Sequence, residues 1–342
     1  MYKQWQKTDP HAIEKASTCE NLESMTDAFG HDFDLPANLS NIFVEFATSD
    51  GIAVDHPRMY GAKNLPGLFY YPKLLPASVQ ISLLDKLLHR DLSNPEHKTN
   101  LHLHYDLSYP PPTSYGSDGS TSFFDAFTDD VEHAPKELHA PLTTTKMLNR
   151  KLRWITLGGQ YDWTNKVYPS GPPPPFPADI KQLVDKTFPM EAEAAIVNLY
   201  SPGDTLSVHR DVSEECAQPL VSISIGCDAV FIVALEDEED DCINIAEPRS
   251  ASTGLRSAVL RLRSGDAVLM SGESRYAWHG VPKVIAGTCP DWLQDWPAVG
   301  SEENVQRFKA YKGWMGGKRI NLNVRQMFTA GHGDNVWDET HL

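Results

Sequence analysis

The chain has 342 residues, 41% of them hydrophobic and 22% charged, with a formal net charge of −16. This make-up is that of a globular protein with one large domain plus extensions or two modest domains. No apolar run reaches the ~18 residues of a membrane-spanning helix, and the acid excess excludes broad adhesion to nucleic acid, which depends on basic surface. The five cysteines, Cys19, Cys216, Cys227, Cys242 and Cys289, are odd in number and lack C-x-x-C spacing. They predict a reduced intracellular protein, cytoplasmic or nuclear, without a zinc knuckle. Met1 to Trp5 has no apolar signal core, and acids follow at Glu20 and Glu23, so the start reads as neither a secretory nor an organellar address.

In chain order, residues 1–60 read as an extension containing a helix-like stretch from His11 to Phe29. Pro66 to Tyr71 has strand character. Within 61–150, read as helical support, Val79, Leu83, Leu84, Leu87 and Leu88 recur at helical spacing between Ala77 and His89. Residues 107–145 shift to Pro, Ser, Gly, Thr and acids, which predicts a long surface insertion, partly disordered. After Lys151 short β-rich runs dominate: Ala195–Tyr200, Leu206–His209, Leu220–Ile225, Val230–Leu235, Ala258–Leu262, Ala267–Met270 and Arg319–Phe328. Turn signals such as Ser201-Pro202-Gly203 and Ser264-Gly265-Asp266 separate them, a spacing that suggests a double-sheet jelly roll or a barrel. One helix is predicted among them, Asp179 to Phe188, after Gly171-Pro172-Pro173-Pro174-Pro175. The acidic run Glu236 to Asp241 reads as a solvated loop.

The chemistry concentrates in this second half. Side chains alternate faces along a strand, so His209 and Asp211 project together. With one distant histidine, His279 in Trp278-His279-Gly280, they form the set that a facial two-histidine, one-carboxylate Fe(II) site requires. The same alternation puts Arg319, Asn321, Asn323 and Arg325 on one face and Ile320, Leu322 and Val324 on the other. That is the wall of a polar cavity, and a guanidinium there can grip a carboxylate through two parallel hydrogen bonds. Alone, a His-x-Asp pair is weak, since most are surface residues. A rival, His102-Leu103-His104-Tyr105-Asp106, puts three potential ligands on one strand face. It has no β-framework beside it and no anion clamp after it, and reads as a surface segment. His89, His133 and His332 are given no site role.

With these residues in place, the span from about Leu152 to Phe328 resembles AlkB-type Fe(II)/2-oxoglutarate dioxygenases, and among them the eukaryotic AlkB homologue-one branch. The resemblance is carried by Asn198-x-Tyr200, His209-x-Asp211-x-Ser213-Glu214, Pro219-Leu220-Val221-Ser222, Ser271-Gly272-Glu273-Ser274-Arg275, His279 and Arg319-x-Asn321-x-Asn323-x-Arg325-Gln326. Leu152 to Gly158 followed by Tyr161-Asp162-Trp163 is similar to the segment forming that branch's substrate-recognition lid. The implied fold is α+β: a double-stranded β-helix (jelly-roll) catalytic core over 151–332, supporting N-terminal helices, and a tail over 333–342.

The resemblance also implies roles. His209, Asp211 and His279 would bind Fe(II) and be the catalytic centre. Arg319, helped by Tyr200, would hold the distal carboxylate of 2-oxoglutarate, with Asn198, Asn321 and Arg325 completing the pocket, Arg325 also facing the target, and O2 as oxidant. Trp163 and Tyr168 would lie in the lid, where an aromatic can stack on a flipped base. Ser213 stands where some bacterial AlkB-type enzymes carry an acid that touches the base. Arg150, Lys151, Arg153 and Lys166 are local cations able to guide a phosphate backbone. The implied activity is oxidative demethylation of N-methylated bases in nucleic acid, tRNA or unpaired DNA. Three alternatives stay open: the same chemistry on a protein side chain such as a histone lysine, base oxidation without demethylation, and a binding module that has lost catalysis. The intact ligand set argues against the last. Ile232 to Leu235 and the acidic loop replace a common Gly-rich turn, a departure that bears on which base or polymer is bound.

Overall fold

A computed structural model describes residues 29–35, 38–49, 52, 58–111, 122–125, 131–136, 139–162, 168, 171–214, 216–236 and 256–328. The helix-like stretch before Phe29, most of the acidic run, His332 and the tail lie outside the described residues. The strands in chain order are β1 (Phe29–Asp34), β2 (Arg58–Ala62), β3 (Leu68–Tyr71), β4 (Tyr105–Asp106), β5 (Glu132–Pro135), β6 (Leu142–Thr143), β7 (Trp154–Gly158) and β8 (Ala194–Tyr200). They continue as β9 (Leu206–His209), β10 (Leu220–Gly226), β11 (Ala229–Leu235), β12 (Arg256–Leu262), β13 (Ala267–Met270), β14 (Trp278–Val284) and β15 (Arg319–Arg325).

Eight strands form one sheet in the order β1-β2-β3-β13-β10-β15-β8-β7, and four form a second in the order β12-β11-β14-β9. A small sheet, β4-β5-β6, stands apart from both. The pairings are antiparallel, with sequence-distant neighbours brought side by side. This is the α+β double-stranded β-helix expected from the sequence. β15 lies between β10 and β8, and all seven of its residues are buried. Ile320, Leu322 and Val324 join the hydrophobic core, while the polar residues between them face the cavity enclosed by the two sheets.

Helices back the large sheet. In α1 (Leu39–Ala47), Leu39, Ile42, Phe43 and Phe46 are buried at i, i+3, i+4 and i+7, one helical face. Each such side chain contributes about 1.5–3 kcal/mol by leaving water. That face packs against α2 (Ala77–Leu84) and α3 (Ala178–Thr187). α2 runs on as a wider, π-type turn to Asp91, two residues beyond the predicted end at His89.

Several expectations are corrected. Residues 1–60 are more than an extension, because β1 and β2 lengthen the large sheet. The 107–145 insertion is in part core. Phe123 and Phe124 are fully buried, and Phe124 meets Trp296, Tyr311 and Trp314 edge-on at 5.1–5.3 Å. Two phenylalanines outweigh the polar composition around them. Residues 154–158 are not lid but an edge strand, paired to β8 along its whole length. The His102–Asp106 segment is a turn ending in a two-residue strand, not one strand face. There His102 accepts from the Thr99 amide at 2.8 Å and lies 2.9 Å from the Tyr109 hydroxyl, while Asp106 pairs with Lys136. No helix among the described residues is long and apolar enough to cross a membrane.

Candidate active site

β9 and β14 pair so that His209 lies opposite His279, their rings 4.4 Å apart. Gly280 makes the approach fit: a Cβ there would lie 3.0 Å from the Leu206 carbonyl and 3.2 Å from the Val208 backbone. Asp211 follows two residues after the end of β9. Its carboxylate sits 3.6 Å from His209 Nε2 and 3.8 Å from His279 Nε2. One ligand atom from each of the three residues lies within 4.8 Å of the others, and no other such group of three occurs among the described residues. The His279 Nδ1–H donates to the Ala277 carbonyl at 3.0 Å, and that of His209 to the Ser207 carbonyl at 2.9 Å. These bonds place the protons on Nδ1 and leave both Nε2 lone pairs facing Asp211. Burial pushes the His279 imidazole down to about 4, so it is neutral and able to ligate.

Asp211 is held from behind. Arg325 donates to its Oδ2 at 2.9 Å and pairs with Glu214 at 3.3 Å. Burial alone would raise the Asp211 carboxyl, but Arg325 and the facing imidazoles outweigh it and hold it well below the usual carboxylate range. Arg275, 1% exposed, completes the arrangement. It donates to the Asp211 and Gln218 carbonyls and to the Glu214 carboxylate, each at 2.8 Å. Arg275→Met leaves Glu214 short of a partner and releases the Asp211 backbone. Loss of such a buried pair costs about 3–5 kcal/mol, and a support lost behind a ligand weakens metal binding about 10–100-fold. Thermal unfolding and Mn(II) titration check this, and Arg275→Lys is expected to recover part of both.

At the other end of the cavity lies Arg319, paired in register with Tyr200 on β8 and Gly226 on β10. Its side chain is 1% exposed, and its one hydrogen bond among the described residues goes to Ser224 Oγ at 2.9 Å. Its Nε and Nη1 have no acceptor there, and neither does the hydroxyl of Tyr200, over whose ring the guanidinium lies at 5.4 Å. A buried cation with two idle donors beside an idle hydroxyl is complementary to a carboxylate. Asn321 is turned to Ser222 Oγ and the Ile223 carbonyl, and Asn198 faces it across the β8–β15 pair. The cavity measures about 430 Å³, and its lining includes the three ligands, Asn198, Asn321, Arg319 and Arg325.

Its wall beside the ligands includes Tyr161 and Ser213, whose hydroxyls meet at 3.1 Å. Tyr168 packs edge-on against Tyr161 at 5.3 Å and donates to Glu214 at 3.3 Å. Trp163 lies outside the described residues. Tyr161, Glu214 and Arg275 were not among the predicted site residues. All three stand in the quoted motifs, but nothing local shows that they converge on Asp211 and the cavity.

Residues 123–325 match the 2OG-Fe(II) oxygenase superfamily. The chain belongs to that superfamily. Within it the chain is an AlkB-type enzyme of the homologue-one branch. It is 50% identical over 287 residues to the N6-methyladenosine RNA demethylase ALKB1 of Pyricularia oryzae, covering 81% of this chain and 79% of that protein. Similarity extends to the tRNA demethylase abh1 of Schizosaccharomyces pombe, 36% identical over 79% of this chain and 82% of the relative. It reaches the DNA N(6)-methyladenine demethylase ALKBH1A of Arabidopsis thaliana, 30% identical over 82% and 81%. As an AlkB-type dioxygenase the protein depends on Fe(II) and 2-oxoglutarate, and His209, Asp211 and His279 are its facial triad.

Proposed function

We propose that this dioxygenase removes methyl groups oxidatively from N-methylated bases in nucleic acid, RNA and tRNA foremost, with unpaired DNA as a further substrate. The observation that carries the reading is one cavity between the two sheets with the triad at one end and the idle donors of Arg319 at the other. The substrates named for the relatives above support it. With Fe(II), O2 and 2-oxoglutarate bound, the site supplies oxidation: one oxygen goes to succinate as CO2 leaves, the other to the methyl carbon, and the hydroxymethyl amine then releases formaldehyde.

The chain's own groups position the partners of that reaction. Arg319 grips the distal carboxylate of 2-oxoglutarate, with Tyr200 donating alongside and Asn198 and Asn321 lining the passage toward the metal. Arg325, drawn into the co-substrate pocket by sequence alone, is better assigned to holding Asp211, because its guanidinium is already engaged by Asp211 and Glu214. Tyr161 and Ser213 flank the entering base. Tyr168, its hydroxyl on Glu214, supports Tyr161 from behind, and Trp163 is assigned to the lid.

The charge of −16 leaves little electrostatic free energy for opening a stable duplex, so an already unstacked base is the expected target. Turnover of one N6-methyladenine in single-stranded, bulged and fully paired oligonucleotides tests this. Single-stranded and bulged forms are expected to lead. Tyr161→Ala and Trp163→Ala are each expected to cost about 1–3 kcal/mol, roughly 5- to 150-fold. Preference for the paired form refutes the unstacked target. Faster turnover of a methylated histone peptide than of any RNA puts the protein side chain first.

A further inference from the structure

A second cavity, of about 230 Å³, lies between the turn that carries Thr145 and Asn149 and the segment 310–314. Lys312 lines it, and further exposed cations flank it: Lys146, Arg150 and Lys151 on the first segment and Lys309 on the second. Lys146, Arg150, Lys151 and Lys309 have no ion pair among the described residues, and Lys312 meets Asp295 at 3.4 Å with both groups largely in solvent. Five cations gathered on two facing segments are out of keeping with a chain of net charge −16.

An independent observation comes from within. Trp314 lines the cavity, is 7% exposed, and has an indole Nε1–H without an acceptor among the described residues. An idle buried donor is costly until an acceptor reaches it. Lys318 ties this cleft to the active site. Its Nζ donates to the Asn149 carbonyl at 2.7 Å and to Ser201 Oγ at 2.9 Å, and lies 5.3 Å above the Trp314 ring. The next residue is Arg319, at the anion end of the catalytic cavity.

We propose that this cleft binds the phosphodiester backbone of the RNA substrate away from its target base. The proposal rests on the nucleic-acid reading above and adds to it a second point of attachment. A small anion needs a compact cage of donors, whereas cations spread along two facing segments suit a polymer with a charge at each repeat. The overall charge repels such a polymer, so attraction has to come from a local patch like this one.

The test uses the full chain with Arg150→Glu/Lys151→Glu/Lys309→Glu, three exposed positions, and Lys181→Glu on α3 as a surface-charge control. Two readouts are compared: the salt dependence of binding to a methylated tRNA, and the ratio of kcat/KM on that tRNA to kcat/KM on a methylated trinucleotide. Each lost phosphate contact lowers the log–log salt slope by about 0.7–0.9, so the triple variant is expected to lose about two units of slope. Its tRNA-to-trinucleotide ratio is expected to fall at least about tenfold, or ~1.4 kcal/mol. Trp314→Phe, which removes only the indole N–H, is expected to weaken tRNA binding by about three- to tenfold. An unchanged slope and ratio overturns the proposal, as does an equal loss in Lys181→Glu. Inorganic phosphate displacing tRNA at equal affinity also overturns it in favour of a small-anion site. If the wild type turns over neither RNA, the demethylase reading fails instead, and the salt slope still decides whether the cleft binds RNA.

Discussion

Asp211→Ala is expected to lower turnover by about 10³-fold or more, ~4 kcal/mol of transition-state stabilisation, and to abolish retention of Fe(II). The carboxylate closes the triad between His209 and His279, and two imidazoles alone cannot hold a metal with one face open. The same change strips Arg325 of its partner at 2.9 Å, though Glu214 remains within reach at 3.3 Å, so the fold is expected to persist. Asp211→Asn, which keeps the shape and removes the charge, separates ligand loss from packing. Iron content after anaerobic reconstitution, alongside circular dichroism, checks both variants. A folded Asp211→Ala protein with full iron and full turnover refutes the assignment of the triad.

The second large effect is expected at Arg319. Lysine there keeps the charge and loses the planar fork, so the KM for 2-oxoglutarate should rise about tenfold or more, at least ~1.4 kcal/mol. The fork matters because Nε and Nη1 are the idle donors, while Ser224 already occupies Nη2. Saturating co-substrate should restore most of kcat, since the metal ligands are untouched. Unchanged co-substrate dependence in Arg319→Lys would transfer the clamp to another cation.

The arginine strand was legible because alternation along one strand is displayed directly in a sequence, and the triad because two of its ligands form a His-x-Asp motif, although Asp211 lies beyond the end of β9 and His279 comes from β14. The helix at Ala77 was legible from its apolar spacing, and the core strands β10 and β11 from apolar runs that are buried almost throughout. What lay hidden depends on contacts between distant positions. Arg325 reaches Asp211 across 114 residues and Arg275 reaches Glu214 across 61, and no local pattern records either. Sequence therefore found Arg325 but gave it to the co-substrate. β14 was missed as a strand because Trp278 to Val284 carries Gly280, Pro282 and Lys283 and reads as a loop. Phe123 and Phe124 disappeared into a Pro- and Ser-rich composition, although their burial ties that segment to Trp296 and Trp314. Tyr161 sat in a motif assigned to a lid, and only pairing of β7 with β8 shows where the strand stops and the cavity wall starts.

The most direct test of the whole account is the stoichiometry of the reaction on an N6-methyladenine-containing single-stranded RNA. The protein is reconstituted anaerobically with Fe(II) and 2-oxoglutarate, O2 is admitted, and succinate, formaldehyde and unmethylated adenine are counted together. One formaldehyde and one unmethylated base per succinate formed in excess of the RNA-free control, with all three absent when Fe(II) or 2-oxoglutarate is omitted, is the predicted result. Succinate produced without loss of the methyl group, or methyl loss that persists without 2-oxoglutarate, would contradict it.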